Sequence, residues 1–327
     1  MAIGSSLKSP SFSFWQRLQA SQYINRAKYG MALAVLSNIL FAVLYLYSHW
    51  LAPLSGTQVF LWRMVMMWFG VAGLMLITQN FGNLHQFLTT RSKRQWLYLL
   101  LPTPIIASQL WLFMWAPVNG QAVNTAMGYF LFPLTMVLLG CVVFKEKLSR
   151  LQGLAITLAA LGVGLQFWLS GSVSWATAWV CLTYPIYYGL RRWQGVPPLL
   201  GLFVDLSLIA PVAFGYIVWQ QSSLAVVMAS ATMGMLLVGL GLISALAMHT
   251  NLKASSMLPM NTFGMLSYLE PALMFLLSIV WLHETVTPTM MTSFGLIWAG
   301  VVVMMLNALW QAKQPKRQGM ASGLVTD

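Results

Sequence analysis

Among 327 residues the chain has five acidic side chains and seventeen Lys and Arg, and three of these charges fall inside long apolar runs: Glu270, Arg63 and Asp205. A charge at the centre of a helix in hydrocarbon costs roughly 2.5 to 3.5 kcal/mol on the insertion scale, so each needs a partner or a task. Glu270 lies nine residues into its run, about 13 Å along a helix axis, and immediately precedes Pro271. Such a carboxylate is a proton carrier, a counter-charge for a cationic group, or half of a structural ion pair for which Arg63 is the natural partner. Arg63 and Asp205 stand closer to the ends of their runs. There, snorkelling of the arginine and an interfacial place for the aspartate compete with a role in a site.

Polar and aromatic residues could give these charges a cavity. Asn38, Phe41, Tyr45 and His49 follow spacings of three, four and four and so share one helix face. Gln109 with Trp111 and Trp115, Asn124 with Gly128 and Tyr129, and Ser267 with Tyr268 can supply the remaining walls. The site set is therefore Glu270, Arg63, Trp111, Tyr129, Tyr268, Asn38, Tyr45 and Asp205. Trp50, Trp96 and Trp175 read as interfacial belt residues. Tyr184, Tyr187 and Tyr188 around Pro185 fit either role, and His49 and His249 read as packing residues. Four scattered histidines and two cysteines, Cys141 and Cys181, make neither a metal constellation nor a disulfide framework. With no phosphate-binding loop and so few acids, neither a cofactor nor a catalytic residue is expected.

The elements that must position these residues follow from composition. The chain is 59% hydrophobic and 7% charged, against about 25% charged in a soluble domain. A soluble fold is excluded. Ten apolar segments are long enough to span a bilayer, at 30–51, 58–78, 96–116, 121–142, 151–169, 175–190, 200–220, 229–248, 261–282 and 289–309. Charge placement orients them. With both termini cytoplasmic, sixteen of the seventeen Lys and Arg fall on the cytoplasmic side, including Arg91, Lys145, Arg191, Arg192 and Lys253. The external connections carry none, which is the positive-inside pattern. The net charge of +12 thus reads as topology rather than as nucleic-acid binding.

Sliding the chain against itself by 138 residues superimposes Pro133 on Pro271, Glu146 on Glu284 and Gly162 on Gly300. Each half then holds five spans, and an odd number forces the halves into opposite orientations. The expected fold is all-α and integral to the membrane, with ten transmembrane helices as two inverted five-helix repeats and both termini cytoplasmic. Residues 1–29 form a cytoplasmic leader, 30–169 and 170–310 the two repeats, and 311–327 a disordered cytoplasmic tail. Pro133 and Pro271 fall near the middle of equivalent spans, where each removes an amide donor and frees a carbonyl. Paired interruptions of this kind point to a midplane binding site.

Several segments together carry a family resemblance: SQLWLFMWAPVNG at 108–120, GYFLFPL at 128–134, FKEKLSRLQ at 144–152, YYGLRR at 187–192 and SYLEPALMFLLSIVWLHE at 267–284. With these the chain resembles the RarD-like EamA permeases of the drug/metabolite transporter superfamily, over nearly all of 30–309. The pattern also has an arginine at the place of Arg63 and an acid at that of Asp205. Where such permeases usually carry a glutamine and a small residue, this chain has Ser267 and Glu270, so the resemblance carries no substrate.

The resemblance implies a multi-pass permease of the bacterial cytoplasmic membrane. It implies export of a small organic metabolite or drug-like molecule, with amino acids and organic cations among the candidates. The partners expected are that solute, membrane lipid and protons as a coupling ion, with no nucleic acid, in a monomer or homodimer. A passive facilitator or channel is the competing reading, and a membrane-embedded lipid-modifying enzyme a more distant one.

Overall fold

The computed structural model describes residues 11–119, 121–170, 174–280 and 288–313, and among them the regular structure is helical throughout. Without water in a bilayer core, a spanning segment must satisfy its own amides, which long apolar runs do as helices. In order, the helices are α1 (Ser11–Trp50), α2 (Gly56–Ile77), α3 (Phe81–Thr89), α4 (Lys93–Leu100), α5 (Pro102–Trp115), α6 (Ala122–Val142) and α7 (Arg150–Ser170). After these come α8 (Trp175–Trp193), α9 (Pro198–Gln220), α10 (Ser222–Met228), α11 (Ala231–Met257), α12 (Met260–Leu266), α13 (Leu269–Val280) and α14 (Pro288–Lys313). Ser55 with Gln58, and Ser92 with Gln95, make reciprocal side-chain and backbone hydrogen bonds that start α2 and α4.

Among the described residues six helical stretches are long and apolar enough to cross a membrane: Asn25–Leu44, Gly56–Ile77, Lys93–Trp115, Asn124–Val142, Pro198–Gln220 and Ala231–Met257. The other four segments read from the sequence are also helical, as α7, α8, the α12 and α13 pair, and α14. Helix α1 begins at Ser11, well before the apolar run, so the described part of the leader continues the first helix. Residues 1–10 and nearly all of the expected tail lie outside the described residues, as does Glu284.

The main departure from the sequence reading is in the ninth segment, expected as one helix over 261–282. It is two helices, with a break at Ser267 and Tyr268. Pro271 explains it. Its ring has no N–H for the Ser267 carbonyl four residues earlier and would clash with that oxygen. The Ser267 carbonyl instead accepts from the Glu270 amide at 3.3 Å. Pro271 therefore lies in the first turn of α13, where a missing amide costs little. Pro133 differs: α6 runs through it without a break.

Helices α7 and α14 pack along each other through a reciprocal contact. A Cβ on Gly162 would come within 2.7 Å of the Ser293 carbonyl, and a Cβ on Gly300 within 2.7 Å of the Ala155 carbonyl. Ser293 and Gly300 are Ala155 and Gly162 advanced by 138 residues, so each helix presents the same glycine to the same point of its counterpart. The starts of α6 and α12, and of α7 and α14, are separated by the same 138 residues. Contacts of α2 with α9 and of α6 with α12 also join the two halves of the chain.

Candidate functional site

A cavity lies where α1, α2, α5, α6, α8, α11 and α13 converge. Arg63 of α2 enters it fully buried. Its Nε donates to the Ser244 hydroxyl on α11 at 2.9 Å, while Nη1 and Nη2 have no hydrogen-bond partner among the described residues. Phe113 lies with its ring centroid 5.6 Å from the guanidinium carbon. Held at Nε, the arginine presents the fork of its other two nitrogens, the geometry that suits a carboxylate.

Glu270 lines the same cavity. Among the described residues the ion pairs are Arg191 with Asp205 and Arg192 with Glu146. Arg63 and Glu270 thus face one cavity without an N to O contact within 4.0 Å. The helix break sets the position of the acid, because it turns the chain just before Glu270. A continuous helix would give the Leu266 carbonyl to the Glu270 amide. At the break, Asn38 Nδ2 donates to that carbonyl at 3.3 Å and to Ala34 O at 2.6 Å.

The walls are mainly aromatic. Phe113 meets Tyr129 edge to face at 5.8 Å, Tyr184 lies 6.0 Å from Tyr129, and Tyr184 stacks on Tyr188 at 6.1 Å. Tyr188 donates to Asn251 Oδ1 at 2.5 Å, and Asn251 donates to the Ser37 hydroxyl at 3.3 Å. This chain fixes one wall by joining α8, α11 and α1.

The chain is 42% identical over 288 residues, 87% of its own length and 96% of the relative's, to an uncharacterized transporter of Haemophilus influenzae. It is 33% identical over 293 residues, 89% of its length and 98% of the relative's, to the chloramphenicol-sensitive protein RarD of Pseudomonas aeruginosa. The chain belongs to the RarD-like permease family. It is a multi-pass bacterial membrane protein of the transporter class. Protein RarD of Escherichia coli K12 is a more distant relative, 23% identical over 295 residues that cover 89% of this chain and 99% of that one. No family model matches the chain. A chain of known crystal structure shares the fold with a TM-score of 0.65 at 16% identity, covering 86% of this chain and 98% of that one.

The cavity of this permease brings together three residues of the expected set, Arg63, Glu270 and Tyr129, with Phe41 and Ser267 beside them. Asn38, Tyr268, Trp111 and Asp205 are placed elsewhere. Asn38 supports the helix break from behind. Tyr268 is fully buried in a separate cluster with Phe130, Val137 and Ile297. Trp111 stacks on Trp115 at 4.9 Å and donates to Thr57 at 3.3 Å, close to the end of the bundle whose connections carry no charge. The Tyr45 side chain lies outside the described residues.

Asp205 is buried at the opposite, basic end. It pairs with Arg191 and accepts from Thr103 at 2.6 Å and Tyr187 at 3.2 Å, while Arg191 also donates to the Leu99 carbonyl at 3.2 Å. That network uses the acid fully and ties α5, α8 and α9 together. Gln109 likewise serves as a tie, to α8 through Trp179 O at 3.1 Å, whereas Asn124 donates to Gln121 at the start of its own helix at 2.8 Å.

Several residues escaped the sequence reading. By sequence Tyr184 and Tyr188 fit either role, although their spacing of four puts both on one face. Asn251 carried no signal, since a single amide near a span end looks interfacial. Glu146, Arg191 and Arg192 read as loop charges, yet all three are engaged at the basic end of the bundle.

Proposed function

We propose that the chain is a secondary transporter that binds a small organic solute in the cavity between Arg63 and Glu270 and exports it by alternating access across the cytoplasmic membrane. The observation that carries this reading is two opposite charges, one from each half of the sequence, facing one cavity without pairing. Buried charges without partners are expensive, and a transport site is where such a cost has a use.

Ten spans in two inverted repeats, with both termini cytoplasmic, form part of the proposal. The reciprocal approach of Gly162 to Ser293 and Gly300 to Ala155 supports a two-fold relation between the halves. The placement of Lys and Arg supports the orientation. Carrier behaviour is favoured over a channel by the basic end. There α12 fills the space between Ser267 of the cavity and Glu146, whose carboxylate accepts from the Met260 and Asn261 amides at 2.8 and 2.9 Å.

The test is counterflow and gradient-driven accumulation in proteoliposomes, over a panel of amino acids, organic cations and neutral drugs. Arg63→Gln and Glu270→Gln serve as cavity controls. Uptake that both variants leave unchanged, or no carrier-dependent flux of any compound, ends the proposal.

A further inference from the structure

We infer that the pocket at the basic end, between the α8–α9 connection and the end of α11, binds the phosphate group of an anionic membrane lipid. It shares no lining residue with the cavity of Arg63 and Glu270, so it is a second site.

Its donors are those of an anion site. Arg191 lines the pocket and is only 8% exposed. The terminal nitrogens of that guanidinium are engaged by Asp205, the Leu99 carbonyl and Gln194, but its Nε has no hydrogen-bond partner among the described residues. Gly201 leaves this edge open, since a Cβ there would stand 3.7 Å from both Nε and Cζ of Arg191. The start of α9 lies beside it. There Pro197 and Pro198 have no N–H to give, and no side chain caps the helix. The amides of Leu199 and Leu200 precede the first helical bond, which runs from Gly201 N to the Pro197 carbonyl at 2.9 Å. Free amides at the positive end of a 23-residue helix favour an anion, and a fixed guanidinium N–H adds a charge-assisted donor.

Positive charge is in excess at this end. Its described acids, Asp205 and Glu146, are already paired with Arg191 and Arg192. Arg91 and Lys253 have no ion pair among the described residues.

The other walls point to a lipid as the source of the phosphate. Val196, Leu202 and Leu252 make them apolar, and exposed Pro197 and Ser256 bring the pocket to the surface. At helical spacing Gly201 shares a face of α9 with Leu208 and Val212, and Ser256 shares a face of α11 with Leu242 and Val238. Those leucines and valines are exposed. An apolar strip on each helix thus leads away from the pocket, as acyl chains require, while the head-group end is basic.

The experiment titrates the full purified chain, delipidated in neutral detergent, with dioctanoyl phosphatidylglycerol, dioctanoyl phosphatidylcholine and inorganic phosphate, and reads binding by calorimetry. Phosphatidylglycerol is expected to bind roughly tenfold or more tightly than either other probe, the scale of a hydrogen bond to a charged group. Gly201→Ala sets a methyl group against Arg191 Nε and suits a helix better than glycine, so it should weaken that lipid while the protein stays folded. Ser256→Asp puts a negative charge at the exposed mouth and should weaken it too, whereas the neutral Ser256→Asn should not. A monodisperse elution profile and an unchanged thermal midpoint without lipid establish that each variant is folded. The inference is overturned if phosphatidylglycerol does not bind, if phosphatidylcholine matches it, or if Gly201→Ala and Ser256→Asp both leave its affinity unchanged. Inorganic phosphate binding as tightly as phosphatidylglycerol would overturn the assignment to a lipid.

Discussion

Arg192 lies 3.3 Å from Glu146 at the start of α12, where the glutamate also accepts from two α12 amides. Arg192 further donates to the Leu258 carbonyl at 3.2 Å and lies over the Phe144 ring at 4.9 Å. One carboxylate and one guanidinium therefore fasten the α6–α7 connection, the end of α8 and the beginning of α12. On the proposed alternating-access cycle, opening at the basic end requires release of these contacts.

Glu146→Ala removes the acceptor for both α12 amides together with the partner of Arg192. A lost helix cap costs about 0.5 to 2 kcal/mol, so the thermal midpoint of the purified protein should fall. A cysteine introduced near Met260 should also react faster with a water-soluble maleimide in the variant. Unchanged labelling would show that the contact is a passive cap and the gate lies elsewhere.

At the other end of α12 the prediction concerns Asn38. Asn38→Ala leaves the Leu266 carbonyl without its side-chain donor at the break. Leaving a buried acceptor unpaired costs about 1 to 3 kcal/mol. Because Glu270 follows four residues later, transport should fall more than folded yield does. Asn38→Asp places an acceptor against an acceptor and should be worse than alanine in both measurements. If alanine lowers stability and leaves the transport constants intact, Asn38 serves the fold alone.

This residue also marks where the sequence ceased to be informative. The apolar runs and the distribution of Lys and Arg are summed properties of long segments, and they predicted helices where helices occur. Arg63 and Glu270 were legible because a charge in hydrocarbon is conspicuous by itself. Asn38 was singled out too, but as a cavity residue. Its link to Leu266 spans 228 residues, and no periodicity reports a hydrogen bond between distant helices. For Asp205 the sequence admits both an interfacial place and a role in a site, because its partners Arg191 and Thr103 come from other helices that no local pattern reports.

The two prolines coincide at the 138-residue offset yet differ in place. Pro271→Ala restores an amide that can bond to the Ser267 carbonyl and would let α12 run on into α13. Transport should then be lost while thermal stability is kept or raised. Pro133 lies inside an unbroken α6, so Pro133→Ala should have the smaller effect on transport. Equal effects of the two substitutions would favour a symmetric role for the pair, and normal transport in Pro271→Ala would detach the break from function.

The final prediction separates two roles for Glu270. As a counter-charge for a cationic group, it holds the solute only when ionised, so binding should weaken as the pH falls through its titration. Protonation removes the negative charge and leaves Arg63 as the sole charge presented to the solute. Glu270→Gln should then bind weakly at every pH over that range, with a flat profile, and lose counterflow and accumulation together. As a proton carrier, Glu270 would behave differently. The glutamine variant would still exchange solute for solute in counterflow but would no longer accumulate it against a gradient. Measuring binding, counterflow and accumulation on the same preparations at several pH values distinguishes the cases. A variant that matches the unmodified protein in all three would leave Glu270 with neither role, and the cavity would then depend on Arg63 alone.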